Sequence, residues 1–296
     1  MPVFKGAGVA IITPMKENEE VDYTKLEELI NKQIDAGTDA IIIVGTTGEG
    51  STLSMEEHRY TIKKAVEFVH GRIPVVAGTG SNCTKTAIQL TKEAEEDGAD
   101  AALIVTPYYN KSTQEGLYRH YAMIADETSL PIIMYNVPGR TGTNILPETV
   151  ARLIRDKENI VGVKDATANM AQSSKMMYLT DGKMDLYSGE DGLVVPLLSI
   201  GAIGVISVVS NVLPTEVHDM CQAWFDGDSE KAATMQRRLI PMVDALFCEV
   251  NPIPVKNAMN MMGLEVGPLR APLYDLSPEH SEYLKDVLKD YKLRKR

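Results

Sequence analysis

Short apolar runs alternate with amphipathic stretches along most of the chain. The apolar runs, rich in β-branched residues, predict strands at 8–14, 39–46, 73–80, 99–109, 130–138, 159–166, 184–191 and 202–210. The stretches between them show helical periodicity, for example 24–37 and 84–98, and both of these end in glycine, as expected just after a helix C-terminus. Continuous apolar strands that alternate with helices indicate a parallel α/β sheet covered by helices on both faces.

Two architectures fit this alternation: an open doubly wound sheet and a closed (β/α)₈ barrel. Eight strand–helix units at a spacing of roughly 30 residues match the barrel, whose usual length is about 250 residues. The GxGxxG fingerprint of dinucleotide-binding open sheets is absent after the first predicted strand. The sequence therefore favours a (β/α)₈ TIM barrel, which we assign to residues 1–225.

The chain beyond the eighth predicted strand is too long for a single helix. Periodicity, with breaks at glycine and proline, predicts helices at about 214–226, 229–248, 252–263 and 277–292. No low-complexity linker separates this segment from the strands. We therefore expect residues 226–296 to form a C-terminal helical extension packed on the barrel.

Composition narrows the range of partners. The 296 residues carry a formal net charge of −11, which disfavours nucleic acid and anionic membranes. No apolar stretch has the length of a membrane span, and the N-terminal run is typical of a first strand rather than a signal peptide. Cys83, Cys221 and Cys248 are far apart, and the five histidines form no HxxxH pair. We expect no disulfide framework, no metal site and a cytoplasmic location.

Candidate site residues collect at the C-terminal ends of the predicted strands, where the active sites of TIM barrels lie. From the second strand to the eighth, these ends carry Thr46 and Thr47, Tyr108 and Tyr109, Tyr135 and Arg140, Lys164, Gly189 and Ile206. Taken together, they form a much stronger signal than any one of them alone.

The strand around Lys164 is apolar up to the lysine. Its two-residue period places Ile160, Gly162 and Lys164 on one face, and Val161, Val163 and Asp165 on the other. This predicts that Gly162 points inward and leaves space beneath the lysine, while Val161 and Val163 pack against helices. The same period puts Ile133 and Tyr135 on one face of the preceding strand.

Two interpretations of Lys164 are open. The strand alone favours a lysine that is structurally ion-paired, with Asp165 as its neighbour. The alternative is a Schiff-base lysine, whose desolvated amine has a lowered pKa and attacks a ketone while Tyr135 transfers protons. Hydroxyls of Thr47 and Tyr109 could relay those protons, and Arg140 suits a substrate carboxylate. The combined set of residues favours the Schiff base.

The motifs GTTGE, TPYYN, YNVPGRTG, VGVKDA, YSGED, GVISV and NPIPVK occur in this order. In these motifs the chain resembles the dihydrodipicolinate synthase and N-acetylneuraminate lyase superfamily of pyruvate-dependent barrel enzymes, over nearly its whole length. The resemblance implies condensation of pyruvate with L-aspartate 4-semialdehyde through a covalent Schiff base, without a cofactor. The alternatives are an aldolase or lyase acting on a 2-keto-3-deoxy sugar acid or N-acetylneuraminate, and a non-catalytic ligand-binding barrel. GTT in place of GST, together with the arginine of VPGR, disfavours the sugar-acid alternative.

The resemblance also implies a role for each residue. Lys164 forms the imine with pyruvate, and Tyr135 is the general acid/base in a relay with Thr47 and Tyr109. Tyr109 reaches across a dimer interface, so a homo-oligomer, a dimer of dimers, completes the site. Thr46 and Thr47, with backbone near Gly189 and Ile206, hold the pyruvate carboxylate, and Arg140 holds that of the semialdehyde.

The resemblance further points to a candidate allosteric pocket for lysine. Its retained residues are Gly50, Ser51, His58, Asn82 and Tyr108. Lysine-inhibited members usually carry an acidic side chain at the position of Thr86 and a histidine or another large polar or aromatic group near Met55. Because the ammonium of lysine has no evident partner here, we expect weak or absent feedback inhibition by lysine.

Overall fold

Eight parallel strands form a closed barrel in the computed structural model, which describes residues 1–293. The strands are β1 Gly6–Ala10, β2 Ala40–Ile43, β3 Val75–Gly78, β4 Ala101–Val105, β5 Ile132–Asn136, β6 Ile160–Asp165, β7 Asp185–Ser188 and β8 Gly204–Ser207. Each strand pairs with the next, and β8 pairs with β1 to close the ring. The predicted TIM barrel is confirmed.

Helices follow the strands and continue beyond the last one. They are α1 Tyr23–Asp35, α2 Met55–Val69, α3 Thr84–Glu96, α4 Gln114–Ala125, α5 Pro138–Thr141, α6 Pro147–Asp156, α7 Met170–Leu179, α8 Val194–Leu198, α9 Pro214–Phe225, α10 Ser229–Leu246, α11 Ile253–Met261 and α12 Pro278–Asp290. Helices α9 to α12 each begin within one residue of the predicted start. Helix α10 packs against α9, α11 and α12. Within residues 1–293, none of the helices is sufficiently long and apolar to cross a bilayer.

Alternate strand residues belong to two separate apolar cores. Ile42, Ile133 and Tyr135 pack inside the barrel. Their neighbours Ile41 and Met134 face the surrounding helices and join the larger core there. The predicted common face of Ile133 and Tyr135 is therefore confirmed, and it is the interior face.

A stacked aromatic pair fills the amino-terminal end of the barrel. The rings of Phe4 and Tyr187 are stacked with their centroids 4.4 Å apart. The Tyr187 hydroxyl donates to the Phe4 carbonyl oxygen at 2.7 Å. Both side chains are buried, so this end of the barrel is closed by packed side chains.

Several predicted strands are too long at their C-terminal ends. The first ends at Ala10 rather than at residue 14, and those predicted at 99–109, 184–191 and 202–210 end at Val105, Ser188 and Ser207. The apolar runs continue past the residues that pair in the barrel. Beyond those residues, the backbone also forms hydrogen bonds with partners outside the neighbouring strands. After β8, for example, the amides of Val208 and Val209 donate to the Asp191 carboxylate. The loops that carry the functional residues therefore begin earlier than the pattern indicated.

The predicted faces of β6 are partly wrong. The register between β5 and β6 shifts so that Ile132 pairs with Ile160 while Ile133 pairs with Gly162. This irregularity reverses the alternation: Ile160 joins the core next to the helices, and Val161 packs toward the barrel interior. A Cβ at Gly162 would lie 2.1 Å from the Asp185 carbonyl oxygen, so Gly162 admits close packing of β7 and leaves no open space beneath the lysine.

A buried ion pair ties the β2–α2 loop to helix α11. Lys256 Nζ lies 2.6 Å from Glu49 Oε1, and the two side chains are 1% and 0% exposed. The second carboxylate oxygen of Glu49 accepts from the amide of Arg270. Glu49 has a φ of 53°, a conformation that is costly for a non-glycine residue. Glu49 follows Thr47 by two residues in this loop, and the ion pair holds the loop against the C-terminal helices.

We predict that Lys256→Met lowers the free energy of unfolding by about 3–5 kcal/mol, because it leaves the Glu49 carboxylate buried without its cation. Urea unfolding followed by circular dichroism measures the change. The double variant Glu49→Gln/Lys256→Met should lose less than Lys256→Met, since no buried charge is left unpaired.

Lys92→Met is the matched control, since Lys92 pairs with Glu127 at 3.2 Å with both side chains about half exposed. It should change the free energy of unfolding by no more than about 1 kcal/mol. Equal losses in Lys92→Met and Lys256→Met would contradict the anchoring role of the buried pair.

Candidate active site

A cavity of about 570 Å³ opens at the carboxyl ends of the strands. Lys164 and Tyr135 lie in its lining beside the loop that contains Thr46 and Thr47. Arg140 lies on the neighbouring α5 turn and also lines the cavity. These five predicted site residues thus surround one space.

Lys164 is the buried amine of this cavity. It is 6% exposed, and its Nζ lies 4.2 Å from the centroid of the Tyr135 ring. Burial lowers the pKa of Lys164 to about 8; Asp191 and Glu190 oppose this shift, and Arg140 adds to it. At neutral pH about one amine in ten is therefore unprotonated, compared with less than about one in a thousand for an ordinary lysine.

The carboxylate adjacent in sequence does not pair with this amine. Asp165 points to the other side of β6, where it accepts from the Ser173 hydroxyl at 2.5 Å, as predicted from the strand period. The buried carboxylate of Asp191 raises the pKa of Lys164 instead. Asp191 is held in place by the Ser207 hydroxyl and two backbone amides. The motif YSGED contains Asp191, but nothing in the strand pattern singles it out.

Tyr135 is suited to donate a proton beside Lys164. It is 8% exposed, and burial raises its pKa to about 12, so its hydroxyl is protonated at neutral pH. Its strand β5 pairs with β6 so that Tyr135 lies opposite Lys164. The hydrogen bonds of residues 1–293 include none between Tyr135 and Thr47, so the proton relay through Thr47 stays a prediction.

Asn251 joins two of the predicted site residues. Its Nδ2 donates to Thr47 Oγ1 at 2.9 Å, and its backbone carbonyl accepts from Arg140 Nη2 at 3.0 Å. Asn251 lies between α10 and α11 and also lines the cavity. It was missed as a site residue, although the motif NPIPVK that begins with it was a usable signal.

The backbone at Gly189 passes close to the amine. A Cβ there would lie 3.1 Å from Lys164 Cε and 2.8 Å from Ala166 Cβ, so a side chain would crowd the lysine. Ile206 belongs to the barrel interior and is not part of the cavity lining, where Val208 lies instead. The loop after β8 rather than the side chain of Ile206 reaches the cavity.

Tyr109 lies outside the cavity of the single chain. Its side chain is 93% exposed and its φ is 68°, whereas the neighbouring Tyr108 lines the cavity. The contacts of one chain therefore do not bring Tyr109 to Lys164.

The candidate allosteric residues mostly line the same cavity. Gly50, Ser51, His58 and Tyr108 contribute to its wall, together with Met55 and Thr86. Asn82 is not part of that wall; its carbonyl accepts from the Asn110 side chain. Burial lowers the pKa of His58, whose Nε2 bonds to the Gly78 carbonyl at 2.9 Å. In the single chain these four residues line the same cavity as Lys164, and both the allosteric pocket and the response to lysine stay predictions.

A buried lysine with a lowered pKa, at the carboxyl ends of barrel strands and beside a protonated tyrosine, is typical of barrel enzymes that form an imine with a carbonyl substrate. The chain belongs to the dihydrodipicolinate synthetase family, whose family model matches residues 3–291.

Known relatives resemble the protein over essentially its whole length. A 4-hydroxy-tetrahydrodipicolinate synthase from Lachnoclostridium phytofermentans is 54% identical over 289 residues, 98% of each chain. The structure of a chloride-inhibited dihydrodipicolinate synthase from Acinetobacter baumannii with pyruvate is 47% identical, with a TM-score of 0.95 over 98% of this chain and 99% of that one. A structure described as a monomeric dihydrodipicolinate synthase variant is 45% identical, with a TM-score of 0.96 over 98% of each chain.

We predict that imine formation at Lys164 rises about tenfold per pH unit up to about pH 8 and then levels off, because the neutral amine is the nucleophile. Cyanoborohydride trapping of pyruvate, followed by mass spectrometry, measures the initial rate. In Arg140→Met the midpoint should move to higher pH, since the guanidinium lowers the pKa of Lys164. A midpoint near that of an ordinary lysine, above about pH 10, would contradict this prediction.

Proposed function

We propose that this protein is a 4-hydroxy-tetrahydrodipicolinate synthase, which condenses pyruvate with L-aspartate 4-semialdehyde in the biosynthesis of diaminopimelate and lysine. The observation that carries the proposal is the buried Lys164 amine, with a pKa of about 8, beside Tyr135. The family membership and the names of full-length relatives support the same substrates. No cofactor enters the proposal, because the lysine itself supplies the covalent chemistry.

In the first half of the proposed reaction, the neutral amine of Lys164 attacks the ketone carbon of pyruvate. Tyr135 protonates the resulting hydroxyl, which leaves as water and gives the imine. The deprotonated Tyr135 oxygen then takes a proton from the methyl group and so converts the imine to an enamine, whose carbon is the nucleophile for the next step. Thr46 and Thr47, with the backbone near Gly189, hold the pyruvate carboxylate.

In the second half, the enamine carbon attacks the aldehyde carbon of the semialdehyde, and a proton from Tyr135 completes the new hydroxyl. The amino group of the semialdehyde part then attacks the imine carbon, closes the ring and expels the amine of Lys164. The sum is pyruvate plus semialdehyde giving the cyclic product and one water. Arg140 holds the second carboxylate in this proposal, which is supported by its place in the cavity lining and by the fit of a guanidinium to a carboxylate.

The adduct test separates this proposal from a non-catalytic barrel. Incubation with pyruvate and borohydride should attach one reduced pyruvate to the wild type and none to Lys164→Ala, as measured by intact mass. Lys175→Ala is the control: Lys175 is half exposed and pairs with Glu148 on the surface, so this variant should retain the adduct. An adduct of equal yield in Lys164→Ala would refute the Schiff-base role.

A coupled assay then identifies the second substrate. Condensation with L-aspartate 4-semialdehyde should be rapid in the wild type, and Arg140→Ala should lose it while keeping the pyruvate adduct. Cleavage of a 2-keto-3-deoxy sugar acid or N-acetylneuraminate that far outpaces condensation would favour the lyase alternative.

We further propose a homo-oligomer, a dimer of dimers, in which Tyr109 enters the site of a neighbouring subunit. Its 93% exposure in the single chain leaves it available for a partner subunit, and tyrosine is enriched at protein interfaces. We also propose a cytoplasmic location, which agrees with the three free cysteines.

Subunit mixing tests the role of Tyr109. Tyr109→Phe and Lys164→Ala should each be nearly inactive alone. Unfolding and refolding an equal mixture should restore about a quarter of wild-type activity, because half of the random dimers are hybrids and each hybrid has one intact site. No recovery in a mixture shown to contain hybrids would contradict a Tyr109 that acts across the interface.

A further inference from the structure

Asn251 belongs to the C-terminal segment and reaches the cavity. It is 5% exposed and lines the cavity, although 204 positions of sequence separate it from Thr47, the partner of its side chain. The role assigned to it here rests on the proposed function and concerns how Thr47 works within it.

The direction of the hydrogen bond between these residues sets the orientation of the Thr47 hydroxyl. Asn251 Nδ2 can only donate, so Thr47 Oγ1 accepts in this 2.9 Å contact. A hydroxyl has one proton, which is then free to be donated elsewhere. Thr47 is itself 3% exposed and lines the cavity, so the remaining direction for that proton is toward the cavity and its contents.

The position of Asn251 is fixed from three sides. Its backbone carbonyl accepts from Arg140, on the α5 turn after β5. Helix α11, which begins two residues after Asn251, carries Lys256, the cation of the buried pair with Glu49. Glu49 in turn belongs to the same loop as Thr47. The amide is therefore clamped between the β2 loop, the α5 turn and α11.

The carboxamide also carries a cost for the fold. Its Oδ1 is buried and, within residues 1–293, has no hydrogen-bond partner. An unpaired buried acceptor opposes folding, and its presence in a folded protein calls for an explanation such as a role in the site. A side chain kept only for packing would not need an amide here.

We infer that Asn251 is a positioning residue that turns the Thr47 hydroxyl proton into the cavity, making Thr47 a hydrogen-bond donor to the molecule that reacts there. Asn251 does this through Thr47, without contacting the reacting atoms. Its carbonyl independently orients Arg140, and that contact survives any change of side chain at position 251.

Side-chain variants separate these two contacts. Asn251→Ala should lower kcat and the rate of pyruvate-adduct formation about 10- to 100-fold. This loss is no larger than the one expected on removing a group that transfers the proton itself. The KM for the semialdehyde should stay within about twofold, since the carbonyl bond to Arg140 persists. The melting temperature should fall little, because the unpaired acceptor is removed together with the donor.

Asn251→Asp tests the direction of the hydrogen bond. A carboxylate accepts the Thr47 proton and turns it away from the cavity, so activity should fall at least as far as in Asn251→Ala. If Asn251→Asp retained wild-type kcat, Thr47 would be the donor to position 251 and the inference would be overturned. The control is Asn257→Ala, which removes an amide bonded to the Ile253 carbonyl on the same helix and outside the cavity lining; it should leave kcat unchanged.

A double-mutant cycle tests whether Asn251 acts through Thr47. In the Thr47→Val background, the further change Asn251→Ala should alter kcat by less than about twofold. Independent, multiplying losses would overturn the inference, as would wild-type kcat in Asn251→Ala. If wild-type protein forms no pyruvate adduct, the proposed function fails; if it forms the adduct and the Asn251 variants match it, only the role of Asn251 fails.

Discussion

The burial of one ammonium group is the constraint on which the rest of the cavity depends. Water stabilises the charged form of a lysine, and removing that water at the end of β6 brings the pKa of Lys164 to about 8. Asp191 and Glu190 prevent a larger shift, while Arg140 works in the opposite sense. The charged form of Lys164 is therefore tolerated in the site. The amine nevertheless loses its proton as the pH rises through about 8.

The C-terminal helices are part of this site as well as part of the core. Asn251 meets Thr47 and Arg140, and Lys256 forms a fully buried pair with Glu49. These contacts connect loops after two different strands to a segment outside the barrel. The barrel supplies the converging strand ends, and the extension fixes the loops that those ends support.

The barrel itself could be predicted because strand and helix periods are local patterns that repeat along the chain. Lys164 and Tyr135 could be predicted as neighbours, since parallel strand ends meet at one face. The inward orientation of the Val161 side chain could not be predicted, because it depends on a register shift between β5 and β6. Asn251 and Asp191 were missed for a related reason: each acquires its contacts only through tertiary packing, which leaves no period in the sequence. Tyr109 is exposed in the single chain, so the role predicted for it stays a prediction.

The stacked rings of Phe4 and Tyr187 give the barrel a closed floor. Lys164 is therefore approached from the cavity side, past the loops that carry Thr46 and Arg140. If a molecule is bonded to the amine, a second molecule that reacts with it enters from this same side of the barrel.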